Sequence, residues 1–132
     1  MSGSLASNET LLVGIGGFLG ANARYLVSTW LARNVDPSLP WGTLVVNMTG
    51  SFIIGAFLVW STERFISNPD LRLVLAVGFC GAYTTFSSYA FETMRLFEQG
   101  HWLDAAGNFL LNNVLALAAV FAGMSLVRWL TS

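Results

Sequence analysis

The chain has little charge. Only 10% of its 132 residues are Asp, Glu, Lys or Arg, against about a quarter in soluble domains. Hydrophobic residues make up 55%, and the mean hydropathy is +0.63. So few charges do not cover the surface of a water-soluble fold, so the composition is that of a membrane protein. Lysine is absent: the six basic residues are all arginine, against seven acids. No basic patch is available to neutralise phosphates, which excludes nucleic acid as a partner. A single cysteine, Cys80, excludes an internal disulfide and any multi-thiolate metal site. A single histidine, His101, argues against a zinc site within one chain. The stretch Met1 to Thr10 holds Glu9 and no basic residue, unlike the n-region of a signal peptide. A dinucleotide site fails as well, because Gly14-Ile15-Gly16-Gly17-Phe18-Leu19 lacks the third glycine of the fingerprint and follows no strand.

What the chain has is apolar length. Four stretches approach the roughly 20 residues that a bilayer requires: 11–31, 41–60, 73–97 and 105–127. The third is free of charge as far as Phe91. The joints are short and polar, and Trp30, Trp41, Trp60, Trp102 and Trp129 stand at span ends, as interfacial anchors do. The expected fold is therefore an all-α integral membrane protein, one bundle of four transmembrane helices over residues 1–132. Both termini and the second loop share one side, with Arg64, Arg72 and Arg128; the other side holds Arg33 and Arg95. So even a balance fits either one weakly biased topology or a dual topology paired as an antiparallel homodimer. The small size favours an oligomer. Gly16-x-x-x-Gly20 and Ser51-x-x-x-Gly55 are small-residue patterns that let helices approach closely.

Polar residues recur at membrane depth, where they glue helices together or line a wet interior. Thr43, Asn47 and Ser51 are spaced four apart and form one stripe; Asn108 and Asn112 repeat the spacing. Asn47-Met48-Thr49 matches a glycosylation sequon but lies too deep for a transferase. Arg24 lies just past the middle of the first span and either snorkels to the interface or faces a wet vestibule. Glu92 is the one deeply placed acid, with Arg95 three residues on as a local partner. The third span, from Gly78 to Tyr89, is the least helix-like, because Gly78 and Gly81 ease unwinding and four hydroxyl residues follow. The third helix is thus expected to be broken near its middle, exposing main-chain groups where ions bind. Phe86 and Tyr89 either pack or turn positive ring edges toward an anion.

These residues resemble a known family. Gly16-Gly17-x-x-Gly20-Ala21-x-x-Arg24-Tyr25 is similar to the opening motif of the Fluc/CrcB fluoride channels. Gly42-Thr43-Leu44-x-Val46-Asn47-x-x-Gly50-Ser51-Phe52 and Gly78-Phe79-Cys80-Gly81-x-x-Thr84-Thr85-Phe86-Ser87 resemble their second and third motifs, so the likeness covers nearly the whole chain. It implies a non-enzymatic, passive, fluoride-selective channel in the cell's inner (plasma) membrane, assembled as an antiparallel homodimer that exports cytoplasmic fluoride and limits its toxicity. By the same resemblance Asn47 donates its amide to the ion, Phe86 offers a ring edge, and Thr43, Ser87 and Ser88 add hydroxyls. Arg24 faces the vestibule, while Glu92 and Asn112 match polar family positions. Backbone carbonyls of Gly81 and Thr84 hold a structural sodium ion at the dimer interface. Two departures stand out: Tyr89 replaces a usual Phe, and Leu115-Ala116-Leu117-Ala118-Ala119 lacks the hydroxyls common in the fourth span. The alternatives are a proton-coupled exporter of the small multidrug-resistance type, which needs a deep acid where the first span offers Arg24, and a structural subunit, which leaves the polar stripe unused.

Overall fold

The computed structural model describes residues 2–63 and 68–132, with side chains from residue 7 onward. Among these residues every regular element is helical, and four helical stretches are long and apolar enough to cross a membrane. The first is α1 (Ser2–Asn34), the second α2 (Trp41–Glu63). The third is composite: α3 (Pro69–Arg72), a π-helical stretch (Leu73–Cys80), α4 (Gly81–Tyr83), an extended break, and α5 (Phe86–Glu98). The fourth is α6 (Trp102–Thr131). The four expected spans lie within these helices, which run further because backbone hydrogen bonding continues through polar residues until something stops it. Arg64, counted in the second loop, lies outside the described residues.

The stops are local chemistry. After α1, the Asp36 carboxylate accepts from the Ser38 N–H at 2.9 Å, an Asx turn between residues that Pro37 and Pro40 keep from helix. Ahead of α3, the Asn68 side chain accepts from the N–H groups of Asp70 and Leu71, with Pro69 in the first helical position. Between α5 and α6, Gly100 takes φ +81°. The N–H of His101 then reaches Leu96 O at 2.9 Å and that of Gly100 reaches Phe97 O at 3.0 Å, which closes α5 with a Schellman motif.

Two helix pairs dominate the packing: α1 against the π-helical stretch, and α2 against α6. Each pair is set by glycines. A methyl group at Gly16 or Gly20 would overlap the Val74 or Phe79 carbonyl, and one at Gly78 would lie 2.7 Å from Val13 O. Gly55 meets the Val120 backbone and Gly123 meets that of Phe52, so α2 and α6 touch main chain to main chain. Of the second small-residue pattern only Gly55 packs in this way; Ser51 turns into a cavity. Little of this single chain is buried. Large apolar side chains such as Leu11, Phe18, Phe91 and Leu103 face outward, as lipid contact requires.

The break falls near the middle of the third span, but not at its glycines. Gly81 is helical (φ −61°, ψ −36°) and Gly78 sits inside the π-helical turns. The extended residues are Thr84 (φ −85°, ψ 160°) and Thr85 (φ −151°, ψ 118°). Hydroxyls stabilise what glycine was expected to loosen. Thr84 Oγ1 donates back to Cys80 O at 2.9 Å, and Thr85 Oγ1 accepts from Ser88 N at 3.2 Å as the N-cap of α5.

Candidate functional site

The stripe on α2 faces the third span along its length. Thr43 Oγ1 donates to Glu92 Oε1 at 2.9 Å. Asn47 grips the break: its Oδ1 accepts from Thr85 N at 2.8 Å and its Nδ2 donates to Thr85 O at 3.1 Å. The amide oxygen replaces the helical acceptor that the Thr85 N–H loses at the break, and the amide nitrogen adds a second donor to the Thr85 carbonyl, which as N-cap of α5 also takes the first intrahelical bond. The second Nδ2 proton goes to Asn112 Oδ1 at 3.0 Å. Within the chain, then, Asn47 has both amide protons engaged.

From Asn112 the bonds run on in one sense. Asn112 Nδ2 donates to the backbone and side-chain oxygens of Asn108, at 2.9 and 3.1 Å. Asn108 Nδ2 donates to Thr93 Oγ1 at 2.9 Å, and Thr93 Oγ1 to Tyr89 O at 2.7 Å. Both asparagines are buried. This satisfied relay ties α2, α6 and α5 together around the break.

Arg24 reaches the same place from α1. Its Nε donates to Ala82 O at 3.0 Å, a carbonyl that an unbroken helix would pair with the N–H of Phe86. The guanidinium thus sits at the carboxyl end of a helical run, where cations are favoured. Its Nε is therefore tied to the break and does not stand free. With Cys80, Ala82 and Thr85 carbonyls so engaged, those of Gly81 and Thr84 receive no hydrogen bond among the described residues. Nor do those residues hold a cluster of three His, Cys, Asp or Glu side chains able to bind a metal.

Beside the break lies a cavity of about 380 Å³. It brings together Asn47, Gly81, Thr84, Phe86, Tyr89 and Asn112, and no charged residue lines it. Phe86 is 78% exposed and Tyr89 6%, with their rings edge to face at 5.3 Å between centroids. Ser87 and Ser88 occupy the first turn of α5 and are not among the residues that line the cavity; Ser88 Oγ accepts from Thr85 Oγ1 at 3.1 Å. A second cavity, about 330 Å³, holds Thr43 and Glu92. Glu92 does not pair with Arg95, which lies over the Phe91 ring at 5.9 Å. Among the described residues two buried polar atoms lack a partner, Trp41 Nε1 and Glu92 Oε2, and both residues line this second space.

Three contributors escaped the sequence reading. Trp41 reads as one more interfacial anchor, yet its indole N–H is sequestered beside Glu92's cavity. Asn113 carries no pattern of its own, and Thr85 is one hydroxyl among four. Thr85 and Asn113 are distinguished only by their long-range partners, and Trp41 only by the cavity it lines.

Comparison with known proteins adds the family. The model for the family described as CrcB-like protein, Camphor Resistance (CrcB), matches residues 11–124. A fluoride-specific ion channel FluC from Koribacter versatilis is 55% identical over 124 residues, covering 94% of this chain and 98% of that protein. Proteins of the same name from Anaeromyxobacter dehalogenans and Rhizobium etli are 50% and 43% identical over 121 residues, each across 91% of this chain and at least 95% of their own.

Proposed function

The chain belongs to the CrcB family, and from that premise we propose that it is a fluoride-specific ion channel, multi-pass in the membrane, that conducts rather than catalyses. Its physiological direction is passive outward leakage of cytoplasmic fluoride across the inner (plasma) membrane. The observation that carries the reading from the geometry is the cavity at the break: amides, hydroxyls and ring edges with no carboxylate among its lining. Fluoride is small and strongly hydrated, so a pore must replace its water donors. A cationic-drug exporter needs an acid in the binding space, and Glu92 lies in the other cavity, tied to Thr43.

On this reading Asn47 and Asn112 shape the pathway, Phe86 and Tyr89 turn ring edges to the ion, and Ser87 and Ser88 supply hydroxyls from the first turn of α5. Thr43 and Glu92 mark the approach, and Arg24 adds positive potential next to the break. The channel is an antiparallel homodimer. Gly81, Ser87 and Asn113 are exposed at membrane depth, where backbone and polar groups against lipid cost several kcal/mol each, by about the scale of an unmet hydrogen bond. A second copy covers them, and the near-even arginine balance permits opposite insertion. The Gly81 and Thr84 carbonyls of the two copies offer oxygen ligands for a structural sodium ion, which would satisfy those acceptors and is not transported.

Efflux from proteoliposomes tests the function, with fluoride, chloride and a cationic dye compared side by side. Fluoride is expected to leave while chloride and dye stay. Dye movement driven by a proton gradient would replace the channel with the exporter. For the assembly, a cysteine added in the second loop is expected to react with impermeant reagents from both faces; labelling from one face alone rules out the antiparallel pair.

A further inference from the structure

The Tyr89 hydroxyl is held in a way that leaves its proton free. Asn113 Nδ2 donates to Phe109 O at 2.8 Å, one turn back on α6, and to Tyr89 Oη at 3.0 Å. The Phe109 carbonyl fixes which end of the Asn113 amide is the nitrogen, so the phenol oxygen is the acceptor in this pair. The O–H proton of Tyr89 therefore points elsewhere, and no other described residue bonds to that oxygen. The ring cannot swing away. It is buried, pinned edge to face by Phe86, and tethered through its oxygen to α6. Tyr89 and Asn113 both line the cavity beside the break.

Most of the side-chain amide and hydroxyl donors on that lining are spent. Asn47 and Asn112 commit their amide protons within the relay, Asn113 commits its own to Phe109 and Tyr89, and the Thr84 and Thr85 hydroxyls bond to Cys80 O and Ser88 Oγ. Unspent O–H protons remain on Ser51 and Tyr89. The wall formed by α6 offers nothing further, since residues 115–119 carry no hydroxyl.

We propose that the Tyr89 hydroxyl is itself a hydrogen-bond donor to the permeating anion, a specificity-determining group held in position by Asn113. The proposal rests on the reading of this cavity as the fluoride path and goes further by naming O–H rather than the ring edge as the contact. An anion accepts from O–H more strongly than from a polarised C–H, and the bond is charge-assisted.

Fluoride flux through the reconstituted full chain, measured against fluoride concentration, tests it. Tyr89→Phe keeps the ring and its packing and removes the hydroxyl. The half-saturating fluoride concentration is expected to rise about tenfold, the scale of one hydrogen bond to a charged group. Tyr89→Phe also strands the Asn113 amide, so the double variant Tyr89→Phe with Asn113→Leu is measured beside it and is expected to keep the raised value. A half-saturation unchanged in Tyr89→Phe overturns the proposal. So does a double variant that returns to the wild-type value, because the effect would then come from the stranded amide. Absence of fluoride flux in the wild type fails the channel reading itself, which the wild-type curve reveals before any variant is compared.

Discussion

The third span is interrupted at Thr84–Thr85 and again, at its far end, by the turn at Gly100. Both places leave helical carbonyls and N–H groups without their usual partners, and the chain resolves them in opposite ways. At Gly100 everything needed lies within six residues: a left-handed glycine lets two N–H groups fold back onto Phe97 O and Leu96 O. At the break the partners are distant. Asn47 stands 38 positions from Thr85, and Arg24 stands 58 from Ala82. A locally closed end is a boundary of one helix. An end closed by two other helices binds those helices to it, so the geometry of the break depends on the whole bundle. A cavity meant to hold an ion gains rigidity from this, because the groups around it cannot relax one at a time.

The contrast breaks most directly at Asn47. Asn47→Ala leaves the N–H of Thr85 unpaired in a low-dielectric setting, at about 1–3 kcal/mol, takes one of two donors from the Thr85 carbonyl, and frees Asn112 as well. The expected result is a large fall in both the thermal stability of the detergent-solubilised protein and its fluoride flux. Flux lost with stability intact would return Asn47 to the role read from the resemblance, a donor to the ion. Arg24 comes second. Arg24→Met strands one carbonyl and removes the charge from a helix end, for an expected loss of about 1–3 kcal/mol. Arg24→Lys keeps the charge and is expected to recover part of it. Equal stability of the Met and Lys variants in a denaturation series would show that the Ala82 contact does not hold the break.

The sequence made the locally closed parts legible and left the others dark. Four spans follow from apolar length, and the short polar joints between them fall where the locally capped ends at Asn68-Pro69 and Gly100 lie. Gly16 and Gly20 also showed their face, because close helix approach needs small residues at that spacing. The stripe of Thr43, Asn47 and Ser51 was readable as a stripe; which atoms it meets was not. Two glycines drew the expected break toward Gly78 and Gly81, yet at Gly78 the missing side chain serves contact with α1. The break itself rests on hydroxyls and on Asn47, a partner that no local window contains. Trp41 went unnoticed for the same reason: an indole at a span end looks alike whether its N–H meets lipid headgroups or is sequestered beside a cavity.

A smaller effect tests the local side of the contrast. Gly100→Ala places a side chain at φ +81°, where L-residues are disfavoured by about 1–2 kcal/mol. Thermal stability is expected to drop by that amount while flux per folded channel stays at the wild-type level. A change in flux per channel would mean that the turn is coupled to the cavity after all.

The smallest effect is expected at the break itself. Thr84→Ser retains the hydroxyl that donates to Cys80 O at 2.9 Å, and it leaves the main-chain carbonyl in place. What it removes is the Cγ2 methyl, which lies against Gly50 so closely that a methyl there would collide with it. Loss of one buried methyl amounts to about 0.8 kcal/mol, and the extended backbone at Thr84 is as open to Ser as to Thr. Flux is therefore expected within a factor of two of the wild type, with a melting shift of a few degrees at most, by about the scaling of small domains. Thr84→Val is the informative companion: it keeps the shape and the methyl but deletes the bond to Cys80 O. If only main-chain oxygen and shape matter at this position, Val matches Thr; if the hydroxyl pins the last turn before the break, Val loses flux where Ser does not. Agreement of Ser with Thr and failure of Val would place the hold on the break in side chains from both near and far in the sequence, with the Thr84 hydroxyl as a local element beside the Thr85 cap.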